Sequence, residues 1–206
     1  QRDWIPKLKK LCDKLGIDFL STPTNIDGIN DLISVGVKML KNGSDYLTHL
    51  PLLSEMSNSG LPIIISTGMA YMHEISETLR LLENEKINNI ILLHCVSCYP
   101  LEPKNVNLPR ILGLKGLCDR VGYSDHTPGI DASKVALGYD IEVIEKHFTI
   151  DHDLPGRDNK FAILPHELKE LSDYIRLREE VNVDHGDGYL ECEQEARDIM
   201  TGRFDG

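Results

Sequence analysis

The sequence has no apolar run of the roughly 18 to 20 residues that a membrane-spanning helix needs. Its opening, Gln1-Arg2-Asp3-Trp4, lacks the charged-then-apolar layout of a secretory signal. Basic residues are also scarce: 22 Lys and Arg stand against 33 Asp and Glu, a formal net charge of −11. A surface that tracks nucleic-acid phosphates or an anionic membrane needs clustered cations, so both partner classes are excluded. Cysteine is sparse and odd in number, at Cys12, Cys95, Cys98, Cys118 and Cys192, which fits a reducing, cytoplasmic compartment rather than a disulfide scaffold. Neither G-x-G-x-x-G nor G-x-x-x-x-G-K-[ST] occurs, so the chain lacks the glycine-rich loop that usually announces an open nucleotide-binding sheet. The balance is ordinary for a globular protein, with 41% hydrophobic and 27% charged residues. A chain of 206 residues is read as one domain.

What is present is a strict alternation. Apolar runs rich in β-branched residues fall at Ile17–Leu20, Val37–Leu40, Pro62–Ile65, Ile90–Leu93, Val121–Tyr123 and Ile141–Ile144. Segments with i, i+3, i+4 apolar spacing fall between them, at Ile5–Leu15, Ile29–Val35, Leu50–Met56, Ile75–Leu82, Leu108–Leu117 and Leu164–Val181. Continuous apolar strands alternating with helices predict a parallel α/β sheet covered by helices. An open doubly wound sheet and a closed (β/α)8 barrel both satisfy that pattern, and a polar, chemically capable residue at the end of every strand favours the barrel. Six strands do not close an eight-stranded barrel, so the first two β/α units are expected to be lacking on the N-terminal side. Residues 1–181 are read as the partial barrel. Residues 182–206, glycine-rich and acidic with little periodicity, are read as a tail or linker.

The sharpest constellation is a pair of histidines, His126 and His147, that end successive strands. Side chains alternate along a strand, so Glu145 and His147 share a face while Lys146 points the other way. Two imidazoles on neighbouring strands can share one divalent ion with open positions, as a catalytic metal requires, or can be two unrelated hydrogen-bonded histidines. Glu145 and Asp125, beside the imidazoles, are the candidate catalytic carboxylates. Lys41 and Ser44 flank an Asn42-Gly43 turn, and a strand-end lysine with backbone N–H groups and hydroxyls can cradle a phosphate. Thr22, Ser66, Thr67, Ser97 and Ser124 occupy equivalent loops, although Ser and Thr are also simply loop residues. Cys95-x-x-Cys98 follows a strand rather than opening a helix, which is the wrong setting for a redox pair. Trp4 and Met39 read as core or interface residues.

Taken together, the strand-end strings resemble the N-acetylneuraminate (sialic acid) synthase family. The resemblance rests on Phe19-Leu20-Ser21-Thr22-Pro23, Lys41 to Ser44 leading into Leu47-Thr48-His49-Leu50-Pro51-Leu52-Leu53, and Pro62 to Met69. It continues through His94 to Pro100, Gly122-Tyr123-Ser124-Asp125-His126-Thr127, Glu145 to Thr149 and Leu154-Pro155-Gly156-Arg157-Asp158. It implies a (β/α)8 TIM barrel that condenses phosphoenolpyruvate with an N-acyl amino sugar of the N-acetylmannosamine type, giving a nine-carbon ulosonic acid and phosphate. By position, His126 and His147 would hold Mn2+, or alternatively Mg2+ or Co2+. Thr22, Lys41, Ser44, Ser97 and Ser124 would grip phosphoenolpyruvate, Tyr99 and Asp158 would face the sugar, and the full-length protein would be a homodimer. Legionaminic and pseudaminic acid synthases share these motifs, and a barrel that binds metal and phosphate but has lost catalysis is the competing class. The chain departs from the family pattern in having Tyr46 where a carboxylate is expected, with Asp45 beside it expected to face away. Within these 206 residues, counterparts of the family's first two strands and of its C-terminal antifreeze-like domain are not expected.

Overall fold

A computed structural model describes residues 2–84 and 89–202, so the last four residues of the expected tail lie outside the described residues. Five parallel strands form one sheet in sequence order: β1 (Leu40–Asn42), β2 (Ile63–Ser66), β3 (Ile90–Cys95), β4 (Val121–Asp125) and β5 (Val143–Lys146). The helices are α1 (Ile5–Leu15), α2 (Ile26–Ser34), α3 (Leu50–Asn58), α4 (Met72–Asn84), α5 (Arg110–Lys115), α6 (Asp131–Ala136), α7 (Pro165–Val181) and α8 (Gln194–Met200). Every strand after the first is reached through a helical crossover, which is the only connection a parallel neighbour allows. Local chemistry sets the helix ends. Asn25 caps α2 by accepting the Gly28 N–H at 2.8 Å, and His49 Nδ1 accepts the Leu52 N–H at 3.1 Å to open α3. Gly16, at φ 71°, closes α1 in the left-handed conformation that a residue with a Cβ resists.

The sheet is curled, and a contact between its outermost strands shows it. Five strands laid flat would place β1 and β5 about 19 Å apart, further than two side chains reach. Yet Lys41 Nζ on β1 lies 3.6 Å from Glu145 Oε2 on β5. The concave face is layered. Its floor is Ile64, Ile91 and Leu93, with Leu20, Met39 and Val143 packed against them. Gly122 belongs to this floor, and a Cβ there would stand 2.5 Å from Leu93 Cδ2 and 2.6 Å from the Val143 carbonyl oxygen. Only glycine lets the floor close at that point. Alternation then places Lys41, Ser66, Cys95, Ser124 and Glu145 in the layer above. The convex face carries the opposite set, including Leu40, Ile63, Ile65, Leu92, Val121 and Tyr123, all nearly or fully buried. Fully burying each such side chain contributes on the order of 1.5–3 kcal/mol.

Three expectations are corrected. Residues 17–20 form no strand. The segment is tied to residues 37–39 by Asp18, paired to Lys38 at 2.7 Å, and Leu20 packs on the same floor cluster as Met39, so its apolar signal reports partial burial of a side chain rather than a hydrogen-bonded ladder. The next strand begins at Leu40 rather than Val37, which moves Lys41 and Asn42 out of a turn and into β1. Helix α6 was missed, because Asp131 to Ala136 is too short to show a period.

By its internal contacts the chain groups into two compact units, Gln1–Leu171 and Ser172–Gly206. The second unit is not simply an irregular tail. It contains a 3-10 turn at Glu191–Glu193 and then α8, with Arg197 stacked 4.5 Å over the Tyr189 ring and Tyr189 donating to Gln194 at 2.7 Å. Among the described residues no helix is long and apolar enough to cross a membrane. Trp4 is 56% exposed, so it is not a core residue of this unit, whereas Met39 packs on the floor cluster.

Candidate active site

The C-terminal ends of β1 to β5 carry the site, where parallel α/β folds place their chemistry. Lys41 is 9% exposed and donates to Ser66 Oγ at 2.6 Å and to the Asn42 carbonyl at 3.0 Å. One step up lies a notch at Gly68. The Gly68 N–H donates to Ser44 Oγ at 3.0 Å, and Ser44 Oγ lies 3.2 Å from Cys95 Sγ. A Cβ on Gly68 would meet Ser97 Oγ, Ser44 Oγ at 2.8 Å and Cys95 Sγ at 3.0 Å. Two hydroxyls and a thiol therefore converge on one bare α-carbon above a buried lysine. This is a small, donor-rich cradle suited to an anionic group, and its one positive charge is shared with Glu145 Oε2, 3.6 Å from Lys41 Nζ.

On the far side, Ser124 Oγ donates to Glu145 Oε1 at 2.6 Å and lies 3.4 Å from His126 Nε2. His126 Nδ1 lies 2.7 Å from the Val96 carbonyl, an acceptor only, so Nδ1 carries the proton and Nε2 presents a lone pair. Burial, chiefly, holds the His126 pKa below its ordinary value, which keeps the ring neutral. His147 faces it with ring centres 5.5 Å apart, and His147 Nδ1 lies 3.6 Å from Asp158 Oδ2. Tyr99 packs on both imidazoles, at 4.3 Å from His126 and 5.8 Å from His147, and Phe161 stands 5.2 Å from His147. Burial raises the Tyr99 pKa, so the phenol stays a donor.

The donor set fits a shared divalent ion in part. Metal–imidazole bonds of about 2.1 Å place the centres of two rings on one ion roughly 4.5–5.5 Å apart, and the observed separation of 5.5 Å sits at the edge of that range. A neutral His126 with a fixed tautomer is the form that ligates. Among the described residues no group of three or more His, Cys, Asp and Glu side chains is arranged as a ready ligand shell. The pair would thus supply two ligands and leave positions open.

Of the expected site residues, the structure gathers Lys41, Ser44 and Ser97 in the cradle, with Ser124, Glu145, His126, His147, Tyr99 and Asp158 around the imidazole pair. Two stand apart. Asp125 points to the convex face, where it accepts from Tyr123 OH, Thr127 and Ser133 and pairs with Lys146, so its carboxylate is not among the reacting groups. Thr22 lines an open cleft of about 450 Å³ with Trp4, Phe19 and Asn25. Its Cγ2 comes within 4.0 Å of where a Gly43 Cβ would be. Tyr46 packs edge-on against His49 at 6.0 Å, while the Asp45 carboxylate folds back over Gly43, 2.5 Å from that Cβ position. Cys95 and Cys98 are free thiols with different surroundings, Cys95 toward Ser44 and Cys98 toward the Pro100 carbonyl at 3.5 Å. Sequence reasoning missed Gly68 and Cys95 as parts of the cradle, and Phe161 altogether. The parity of Cys95 on its strand was a usable signal, whereas Phe161 sits in an irregular loop and offered none.

The chain is 42% identical over 178 residues to the N,N'-diacetyllegionaminic acid synthase of Campylobacter jejuni, covering 85% of this chain and 52% of that protein. It is 32% identical over 176 residues to the N-acetylneuraminate-9-phosphate synthase of Drosophila melanogaster, covering 84% and 47%. The chain thus spans about half the length of the curated relatives it matches. The solved structure of the N-acetylneuraminic acid (sialic acid) synthetase of Leptospira borgpetersenii, a complex with citrate, superposes with a TM-score of 0.85 at 33% identity, covering 97% of this chain and 71% of that one. The sequence matches the NeuB family over residues 1–186, and with these relatives the chain belongs to that family of sialic, legionaminic and pseudaminic acid synthases.

Proposed function

We propose that the five strands are a contiguous part of a (β/α)8 barrel that condenses phosphoenolpyruvate with an N-acyl amino sugar of the N-acetylmannosamine type. The observation that carries this reading is the notch at Gly68, with Ser44 and Ser97 hydroxyls converging above buried Lys41. On a chain of net charge −11, an anion is drawn only where a cation is presented locally. Phosphoenolpyruvate offers a phosphate and a carboxylate, and Lys41, Ser44, Ser97 and Ser124 are the groups proposed to hold them. Tyr99 and Asp158 face the sugar.

In the reaction, the enol carbon of phosphoenolpyruvate forms a C–C bond to the aldehyde carbon of the open-chain sugar, whose oxygen takes up a proton. Water adds to the cationic carbon left behind, and phosphate departs with cleavage of its C–O bond. Glu145, held through Oε1 by Ser124 and 3.6 Å from Lys41 through Oε2, is the group proposed to accept the proton that the water loses. A divalent ion, proposed to be Mn2+ on His126 and His147, supplies polarisation of the aldehyde when bound. The proposed setting is the cytoplasm, and the proposed assembly is a homodimer.

A second reading keeps the chemistry and changes the acceptor to a di-N-acetylated hexose. The higher identity to the legionaminic acid synthase, 42% against 32% for the neuraminate-9-phosphate synthase, favours it. The test is phosphate release and ulosonic acid formation by this chain with phosphoenolpyruvate, Mn2+ and each sugar in turn. Product with one sugar selects between the two readings, whereas phosphate release that no sugar accelerates refutes both.

A further inference from the structure

The convex side of β4 and β5 carries a buried ion pair that the reaction does not use. Asp125 and Lys146 are register partners, their side chains are 0% and 5% exposed, and Lys146 Nζ lies 3.1 Å from Asp125 Oδ2. Both carboxylate oxygens and the ammonium are engaged. Asp125 Oδ1 accepts from Tyr123 OH at 3.1 Å and from the Thr127 N–H and Oγ1, both at 2.8 Å, while Oδ2 accepts from Ser133 Oγ at 2.6 Å. Lys146 Nζ also donates to the Thr127 carbonyl at 2.6 Å. A buried charge pair of this kind contributes little net stability compared with apolar residues of similar volume, so its presence calls for another account.

Its position supplies one. Asp125 lies between Ser124 and His126, and Lys146 lies between Glu145 and His147. The four flanking residues point to the concave face, and their reach toward one another depends on how the ends of β4 and β5 are held. Thr127, the residue after His126, is bonded both to Asp125 and to Lys146, so the backbone leaving His126 is tied to the end of β5, immediately before His147. We propose that Asp125 and Lys146 are positioning residues, a clamp on the convex face that sets the separation of the His126 and His147 rings across the sheet. The proposal rests on the reading of those rings as ligands of one ion. It accounts for a carboxylate beside the site that touches none of the reacting groups.

The test uses this chain with Asp125→Asn, Lys146→Met, the double variant, and the milder Thr127→Val in case the single charge variants fail to fold. Mn2+ affinity is read by titration calorimetry and the two imidazoles by their NMR shifts without metal, with melting temperature as the control for folding. Each single variant and Thr127→Val should weaken Mn2+ binding by on the order of tenfold or more and shift both imidazole signals. The double variant, with no stranded charge, should regain melting temperature without regaining Mn2+ affinity. A purely structural pair would give the opposite result, with affinity returning alongside stability, and would overturn the proposal. Should the parent chain bind no Mn2+, the ion-site reading fails on its own, and unshifted His147 signals in Asp125→Asn would then overturn the clamp as well.

Discussion

Replacing Gly68 by Ala tests the cradle with the smallest available change. The added methyl would stand 2.8 Å from Ser44 Oγ and 3.0 Å from Cys95 Sγ, and closer still to Ser97 Oγ. All three are the ends of rotatable side chains rather than backbone, so the chain can fold by turning the hydroxyls away. What is lost is their convergence. A hydrogen bond to a charged group contributes about 1.5–3 kcal/mol, so displacing Ser44 and Ser97 together removes about 3–6 kcal/mol of anion binding. At about 1.4 kcal/mol per factor of ten, that is a loss of roughly a hundredfold or more in affinity for phosphoenolpyruvate. Titration calorimetry of phosphoenolpyruvate into parent and variant measures the loss, with thermal melting to show that the fold persists. A folded Gly68→Ala chain that binds within about threefold of the parent would refute the cradle.

Gly122→Ala tests the curled floor instead. Its methyl meets the Val143 backbone oxygen at 2.6 Å and Val143 Cβ at 2.9 Å, which cannot simply rotate aside. Overpacking at the upper end of its usual range, about 3 kcal/mol, should lower the melting temperature by roughly 6–12 °C, and an unchanged melting point would mean the sheet is flatter than described. The buried ring of His94 sets an acid limit on stability. Its Nε2 bonds the Val106 carbonyl, its Nδ1 has no partner, and burial lowers its pKa with Arg110 acting in the same direction. The folded chain keeps this ring neutral where the unfolded chain takes up a proton. Stability is therefore full above about pH 6.5 and falls as pH drops toward the depressed folded value, by up to about 1.4 kcal/mol per pH unit for this group. His94→Phe, which retains the stack on Tyr123 seen at 5.7 Å, should flatten that slope in melting curves between pH 7 and 5, and an unchanged slope would assign it elsewhere.

Much of this fold was legible because two periods dominate the sequence. The apolar runs at Ile63–Ser66 and Ile90–Cys95 are strands of the interior sheet, and the spacing over Ile5–Leu15 is a helix with those bounds. Periodicity failed where burial and hydrogen bonding part company. Residues 17–20 bury Leu20 without joining a ladder, and Lys41, polar in type, belongs to a strand because the concave face above the floor is itself polar. The candidate site was legible at strand ends, where Lys41, Ser124, Glu145, His126 and His147 follow strand parity. Asp125 was misread for the same reason in reverse. Adjacent to His126 in sequence, it lies on the other face of the sheet, with its carboxylate closed by five bonds from Tyr123, Thr127, Ser133 and Lys146. Gly68 escaped notice because its part in the site is an absent side chain, visible only once the atoms around it are placed.

The proposed binding of phosphoenolpyruvate at the strand ends, over Lys41, is tested by one substitution. Lys41→Met keeps the length of the stem and removes the buried cation bonded to Ser66, two residues before Gly68. Titration calorimetry with phosphoenolpyruvate should show saturable binding to the parent chain, strengthened by Mn2+, and none to a folded Lys41→Met chain. Binding that survives this substitution would contradict the account.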